Sequence, residues 1–157
     1  MPPKVEARIL QSLAVKPDDT ILEIGTGCAY TTALLARAGG LVHSVDIFPE
    51  FTQRAEPLLK QHGLENVQLA TGDAIHGWED AAPYDVIAVT GSVPILTDHF
   101  QQQLSINGRL FVIVGESPVM EALLITRTGE NEWSRESLFE TDIPALIGAA
   151  TPSAFHF

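Results

Sequence analysis

Ile21-Leu22-Glu23-Ile24-Gly25-Thr26-Gly27-Cys28-Ala29-Tyr30 is the stretch that decides the fold. It reads as a short buried strand, a tight glycine turn and the opening of a helix. The two glycines let the backbone approach a ligand closely, because no Cβ stands in the way. Asp46 follows about twenty residues on, at the end of the next apolar run, where a carboxylate reaches ribose hydroxyls. The segment predicts a cofactor that contains a nucleoside.

Working outward, apolar positions Val5, Ile9, Leu10 and Leu13 predict a helix over about Val5 to Ala14, ahead of a turn at Pro17-Asp18-Asp19. Strands are predicted at Thr20 to Ile24, Leu41 to Asp46, Asn66 to Ala70, Tyr84 to Thr90 and Arg109 to Val114. Helices fall between them: Thr31 to Ala38, stopped by Gly39-Gly40; Pro49 toward His62-Gly63; and Leu96 to Leu104. Pro57 should kink the second of these or begin a new piece. Asn107-Gly108 marks a turn before the fifth strand. Glu121 to Arg127 and Trp133 to Thr141 read as a hairpin joined by Thr128-Gly129-Glu130-Asn131. The link from Val114 to Glu121 is too short for a crossover helix, so that hairpin lies antiparallel. The expectation is one α/β domain over residues 1–157, a doubly wound, mostly parallel sheet with an antiparallel C-terminal hairpin. The tail from Ala149 to Phe157 is expected to be irregular, with Phe155 and Phe157 docked on the body or serving a neighbouring subunit of a homo-oligomer.

Composition narrows the function classes. A formal net charge of -11 works against non-specific nucleic-acid binding and against docking on anionic membranes. A single cysteine forbids an internal disulfide and points to a reducing compartment. The start Met-Pro-Pro-Lys-Val-Glu-Ala-Arg lacks the apolar core of a signal peptide, and no run is long enough to span a bilayer, so the cytoplasm is expected. His43, His62, His76, His99 and His156 have no ligand spacing, and no metal is expected.

Three nucleoside cofactors compete for the turn. A phosphate-binding loop needs Gly-Lys-Ser/Thr, which is absent. A dinucleotide fingerprint needs a third glycine where Tyr30 stands, and its bulk argues against close helix–strand packing. The remaining reading is S-adenosylmethionine, which has no pyrophosphate for Glu23 to repel. Ile47 could cover one face of an adenine, and Gly72-Asp73-Ala74 could read its edge. Thr90-Gly91-Ser92 ends the fourth strand, so all these segments fall at the carboxyl ends of parallel strands. Each residue also has a plainer reading. Glu23 is then a structural acceptor beneath the turn, Asp46 a helix N-terminal acid ahead of Pro49, and Asp73 the cap of a local turn.

Glu23 to Tyr30, Val42-His43-Ser44-Val45-Asp46 and Gly72-Asp73-Ala74 resemble protein-L-isoaspartate O-methyltransferases. So do Trp78 with Ala82-Pro83-Tyr84-Asp85-Val86-Ile87, Leu104 to Phe111, and Leu138-Phe139 through Pro144-Ala145-Leu146-Ile147-Gly148. The likeness covers nearly the whole chain. It implies a Rossmann-like methyltransferase fold and methyl transfer from S-adenosylmethionine to the carboxylate of L-isoaspartyl residues in damaged proteins or peptides. It also implies cofactor roles for Glu23, Gly25, Thr26, Gly27, Asp46, Asp73, Ala74 and Thr90. No catalytic base is assigned, since an acceptor carboxylate is already ionised at neutral pH. The family turn usually has glycine at the position of Ala29, whose methyl is tolerable at negative φ. Family members also carry an N-terminal segment with a Ser-Gln-Pro-like motif that helps to hold the acceptor, and Met1-Pro2-Pro3-Lys4 falls about where that motif would end. Two alternatives stay open: a methyltransferase with another acceptor, and a module that binds the cofactor without turnover.

Overall fold

The computed structural model describes residues 1–151. The expectation for Phe155 and Phe157 falls outside them. The chain runs α1 (Pro3–Leu13), β1 (Thr20–Ile24), α2 (Tyr30–Ala38), β2 (Leu41–Asp46), α3 (Pro49–Gln61) and β3 (Val67–Thr71). It continues through β4 (Tyr84–Val93), α4 (His99–Gln102), β5 (Leu104–Glu116), β6 (Val119–Gly129) and β7 (Glu132–Thr141). All the strands join one sheet in the order β3-β2-β1-β4-β5-β6-β7. Strands β1 to β5 pair in parallel, and β6 and β7 add antiparallel neighbours.

The sheet is apolar on both faces because the parallel strands are covered on both sides. Ile21, Val42, Val86 and Phe111 face Ile9, Leu13, Leu35 and Leu59 from α1, α2 and α3. Leu22, Ile24, Val45, Ile87 and Leu110 point the other way, against Ile75, Trp78 and Phe100. That second face is covered mainly by turns and irregular chain, since α4 has only four residues. The predicted helix over Leu96 to Leu104 is therefore cut short at both ends. Asp98 sits at its N-cap, and Leu104 is drawn into β5 opposite Tyr84.

Two other boundaries differ from expectation. α3 runs as one helix through Pro57, with no second piece. Asn107 has φ 67 and lies inside β5 as a bulge: Leu104 pairs with Tyr84, but Arg109 pairs with Val86. The Asn-Gly signal thus marks a bulge within one strand.

Arg109, just past this bulge, fixes α1 to the sheet. Its Nε donates to the Leu13 carbonyl at 2.9 Å, and its NH2 donates to the Ala14 carbonyl at 2.9 Å and to Asp19 Oδ2 at 2.7 Å. The α1 C-terminal carbonyls, which helical geometry leaves without partners, are satisfied in this way.

Strand register sets the height of the site. Ile24 is level with Val45 on β2 and Val89 on β4, and Asp46 is level with Thr71 on β3. The residues that follow these strands therefore meet at one edge of the sheet. The chain turns back between β1 and β4, and the crevice at such a reversal is where open α/β sheets take ligands.

Candidate functional site

A cavity of about 430 Å3 opens at these strand ends. Gly25, Gly27, Asp46, Ile47, Asp73, Ala74 and Thr90, all predicted from sequence, line it. A larger cleft, about 660 Å3, lies between α3 and β3 at the outer edge of the sheet, away from the strand ends.

The turn is held by its neighbours. Gly25 has φ 99, and its N–H donates to the Val45 carbonyl at 2.8 Å. A Cβ there would collide with Thr90 Oγ1. Thr90 Oγ1 lies 2.9 Å from the Ile24 carbonyl and 2.7 Å from the Gly25 carbonyl, and donates its one proton to this pair. The Thr90 hydroxyl thus clamps β4 to the end of β1.

Asp46 is 7% exposed. Its Oδ2 accepts the Gly27 N–H at 3.0 Å, and its Oδ1 accepts the Phe48 N–H at 3.0 Å. Each oxygen keeps acceptor capacity for a ligand hydroxyl. Beyond it, Ile47 and Phe48 expose apolar surface at 39% and 40%. Asp73 Oδ1 accepts the Ile75 N–H at 3.0 Å in a local turn, while Oδ2 stands beside Gly148. Asp73 therefore caps its own loop with one oxygen and leaves the other for a ligand.

Glu23 and Thr26 do not line the cavity. Glu23 is fully buried and Thr26 is 3% exposed, both beneath the turn. Glu23 Oε2 accepts from Thr32 Oγ1 at 2.5 Å and Ser44 Oγ at 2.6 Å, and Ser44 Oγ lies 2.7 Å from Thr26 Oγ1. Glu23 Oε1 has no partner. Burial pushes the Glu23 carboxyl up to about 7; the two hydroxyls oppose this, and the charges of Asp46 and Glu6 add to it. Of the two readings of Glu23, the geometry matches the structural acceptor beneath the turn, and Thr26 joins the same hydroxyl network. Glu23 shares its face of β1 with Ile21, so it points toward the helices.

Two further expectations about the turn change. The Tyr30 side chain is 51% exposed, so it occupies no helix–strand contact, and its bulk is not what excludes a dinucleotide. Ala29 has φ 63, not the negative φ under which its methyl was expected to be tolerable. It carries the left-handed strain that glycine would avoid.

One wall of the cavity was not identified as part of the site in the sequence. Residues Ile143 to Ile147 line it, joined to the far end of β4 by Ser92. The Ser92 N–H donates to the Pro144 carbonyl at 3.0 Å, and its carbonyl accepts from the Leu146 N–H at 2.8 Å. Ser92 Oγ donates to the Ile143 carbonyl at 3.1 Å. The local signal was Gly91, where a Cβ would run into Leu146.

The site thus offers acceptors placed for hydroxyls, an apolar cover and a turn that is open on the side of Gly27. Among the described residues that line it, no nucleophile is backed by a base. The sequence profile of the protein-L-isoaspartate(D-aspartate) O-methyltransferase family matches residues 2–144. A protein-L-isoaspartate O-methyltransferase of Protochlamydia amoebophila is 34% identical over 147 residues, covering 93% of this chain and 70% of the relative. One from Geotalea uraniireducens is 36% identical over 149 residues, covering 94% and 68%. A solved protein-L-isoaspartate O-methyltransferase superposes with TM-score 0.84 at 26% identity, covering 95% of this chain and 48% of the other. A methyltransferase of Thiobacillus denitrificans, solved with S-adenosyl-L-homocysteine, shares the fold at TM-score 0.61 and 21% identity, covering 72% and 48%. The chain spans about two thirds of the length of these curated relatives and about half of the two solved chains.

Proposed function

The chain belongs to the protein-L-isoaspartate O-methyltransferase family, and on that premise we propose that it methylates the carboxylate of L-isoaspartyl residues in damaged proteins or peptides, using S-adenosylmethionine. The observation that carries this reading is the meeting of Gly25, Gly27, Asp46, Ile47, Asp73, Ala74 and Thr90 at one cavity.

The cavity suits this cofactor. A Cβ on Gly27 would meet nothing within 4 Å, so the turn is open on that side. Asp46 has lone pairs for the ribose hydroxyls, Ile47 an apolar surface for the adenine, and Asp73 a carboxylate oxygen for its edge. When bound, S-adenosylmethionine supplies an electrophilic methyl group on a sulfonium.

The residues of this chain contribute placement. The acceptor carboxylate is ionised at neutral pH, so no side chain has to remove a proton. Rate then comes from alignment and from excluding water, as the Gly25–Thr90 clamp and the wall Ile143 to Ile147 would do. We place the whole activity in one S-adenosylmethionine-binding domain. We assign it to protein repair in the cytoplasm, which the single free Cys28 supports. Among the described residues no helix is long and apolar enough to cross a membrane.

The test is incubation with methyl-labelled S-adenosylmethionine and an L-isoaspartyl peptide, with the matching aspartyl peptide as control. Label should enter the isoaspartyl peptide alone. Cofactor binding without transfer to either peptide, or equal labelling of both, would overturn the reading.

A further inference from the structure

The two edges of the sheet differ in kind. β7 at one edge carries Glu132, Arg135, Glu136 and Glu140, charges that discourage another strand from adding there. β3 at the other edge reads Val67-Gln68-Leu69-Ala70-Thr71, with no charge, proline or glycine. Its inner side is fixed by the ladder to β2: the Val42 N–H donates to the Asn66 carbonyl and the Gly72 N–H to the Asp46 carbonyl, each at 3.0 Å. Backbone groups alternate sides along a strand, so Asn66, Gln68, Ala70 and Gly72 face β2. The amides and carbonyls of Val67, Leu69 and Thr71 therefore face outward, and among the described residues none of them is bonded from beyond the sheet. Beside them runs the cleft of about 660 Å3, lined by apolar Leu59, Leu64, Val67 and Leu69 and by exposed Glu56, Lys60 and Glu65. An open strand edge and an apolar cleft thus coincide.

We propose that this edge joins two copies of the chain, β3 pairing antiparallel with β3 of a second copy about a twofold axis at Leu69. Leu69 then exchanges both backbone bonds with Leu69 of the other copy, and Val67 does so with Thr71. Such an edge is self-complementary, as a closed twofold contact requires. Charge also favours a second copy as the occupant. At a net charge of -11, two copies attract only where local charges offset each other, and they do so at this axis. Thr52 Oγ1 lies 2.7 Å from Thr71 Oγ1, so the start of α3 is level with the end of β3. One helical turn on, Glu56 is level with Leu69 and the axis. Lys60 Nζ bonds Glu56 Oε1 at 2.8 Å, on the flank that lines the cleft. The twofold gathers two such pairs into a group of alternating sign and no net charge, with each Lys60 turned toward the Glu56 of the other copy. The antiparallel contact sends the two donor cavities to opposite ends of the joined sheet, where both stay open. The contact is independent of the methyl-transfer reading.

Sedimentation equilibrium of the full chain from about 1 to about 200 µM tests this. The mass should rise from 17.0 kDa toward twice that value. The amides of Val67, Leu69 and Thr71 should gain protection from hydrogen exchange with concentration, while those of Gln68 and Ala70, already bonded to β2, should not change. Leu69→Pro removes an outward amide and spares the ladder to β2, so this variant should remain at 17.0 kDa throughout. Lys60→Glu, an exposed change, gathers only acids at the axis and should weaken the dimer at least about tenfold. Combining it with Glu56→Lys reverses both charges and should restore the dimer. A mass of 17.0 kDa at every concentration would overturn the proposal, and edge amides protected in that monomer would mean that the chain covers its own edge. A dimer that persists in Leu69→Pro, or that Lys60→Glu does not weaken, would overturn it as well. If Leu69→Pro does not fold, Lys60→Glu and the charge reversal decide.

Discussion

Asp46 joins two backbone amides from different loops, Gly27 from the turn and Phe48 from the entry to α3. Its replacement therefore acts twice, on the ligand and on the loops that shape the cavity. Asp46→Ala should weaken S-adenosylmethionine binding by at least ~1 kcal/mol, because a charged hydrogen-bond partner is lost. Calorimetry giving unchanged affinity would refute the ribose assignment. Gly25 makes a separate prediction. An alanine at φ 99 carries about 1–2 kcal/mol of left-handed strain, and its methyl also meets Thr90 Oγ1. Gly25→Ala should lower stability by at least ~2 kcal/mol in denaturant unfolding, and adding Thr90→Ala should recover the collision but not the strain. These two residues were legible in the sequence because a glycine turn and a strand-end acid act through local backbone geometry. Glu23 sits beneath the turn, in line with its plainer reading, for a reason that is also local. Side chains alternate along a strand, and Glu23 shares the parity of Ile21, the face the helices cover.

At the scale of elements, Arg109 decides where α1 sits. One guanidinium satisfies the carbonyls of Leu13 and Ala14 and pairs with Asp19, whose side chain is only 7% exposed. Arg109→Ala would leave that carboxylate and the helix end without partners, a loss of about 3 kcal/mol. Arg109→Lys should fall in between, since a single ammonium cannot reproduce the fork. Hydrogen exchange should show α1 losing protection first; uniform loss across the sheet would contradict this anchoring role. The strands and the three long helices were legible because each has an apolar period and a punctuating Gly or Pro. α4 and the wall Ile143 to Ile147 were not. α4 is outcompeted by pairing of Leu104 with Tyr84, and the wall is set by Ser92, fifty residues away in sequence (Ser92 Oγ to the Ile143 carbonyl spans 51 positions). Neither competition leaves a periodic trace.

Across the whole molecule, two of the buried groups with displaced titration, Glu23 and His43, ionise in the acid-to-neutral range and pull stability in opposite directions. Glu23 is raised from 4.5 to about 7, so between those values the folded protein holds a proton that the unfolded chain has lost. Its contribution is complete below pH 4.5 and is lost as pH rises through 7. Burial lowers the His43 imidazole from 6.5, and its Nε2 has no partner, so here the unfolded chain binds the extra proton. The His43 contribution is present above pH 6.5 and is lost as pH falls below it. The Glu23 shift corresponds to about 3 kcal/mol. Stability of the ligand-free protein should therefore be higher near pH 5 than near pH 8 once Glu23 dominates. Urea unfolding of the protein and of Glu23→Gln across that range checks the sign. Gln buries two amide donors where Oε1 already lacks a partner, so the variant starts lower, but its profile should lose the downward slope between pH 5 and 7 and keep only the rise contributed by His43. A variant profile parallel to that of the parent protein would mean that Glu23 ionises in the folded state at its ordinary value.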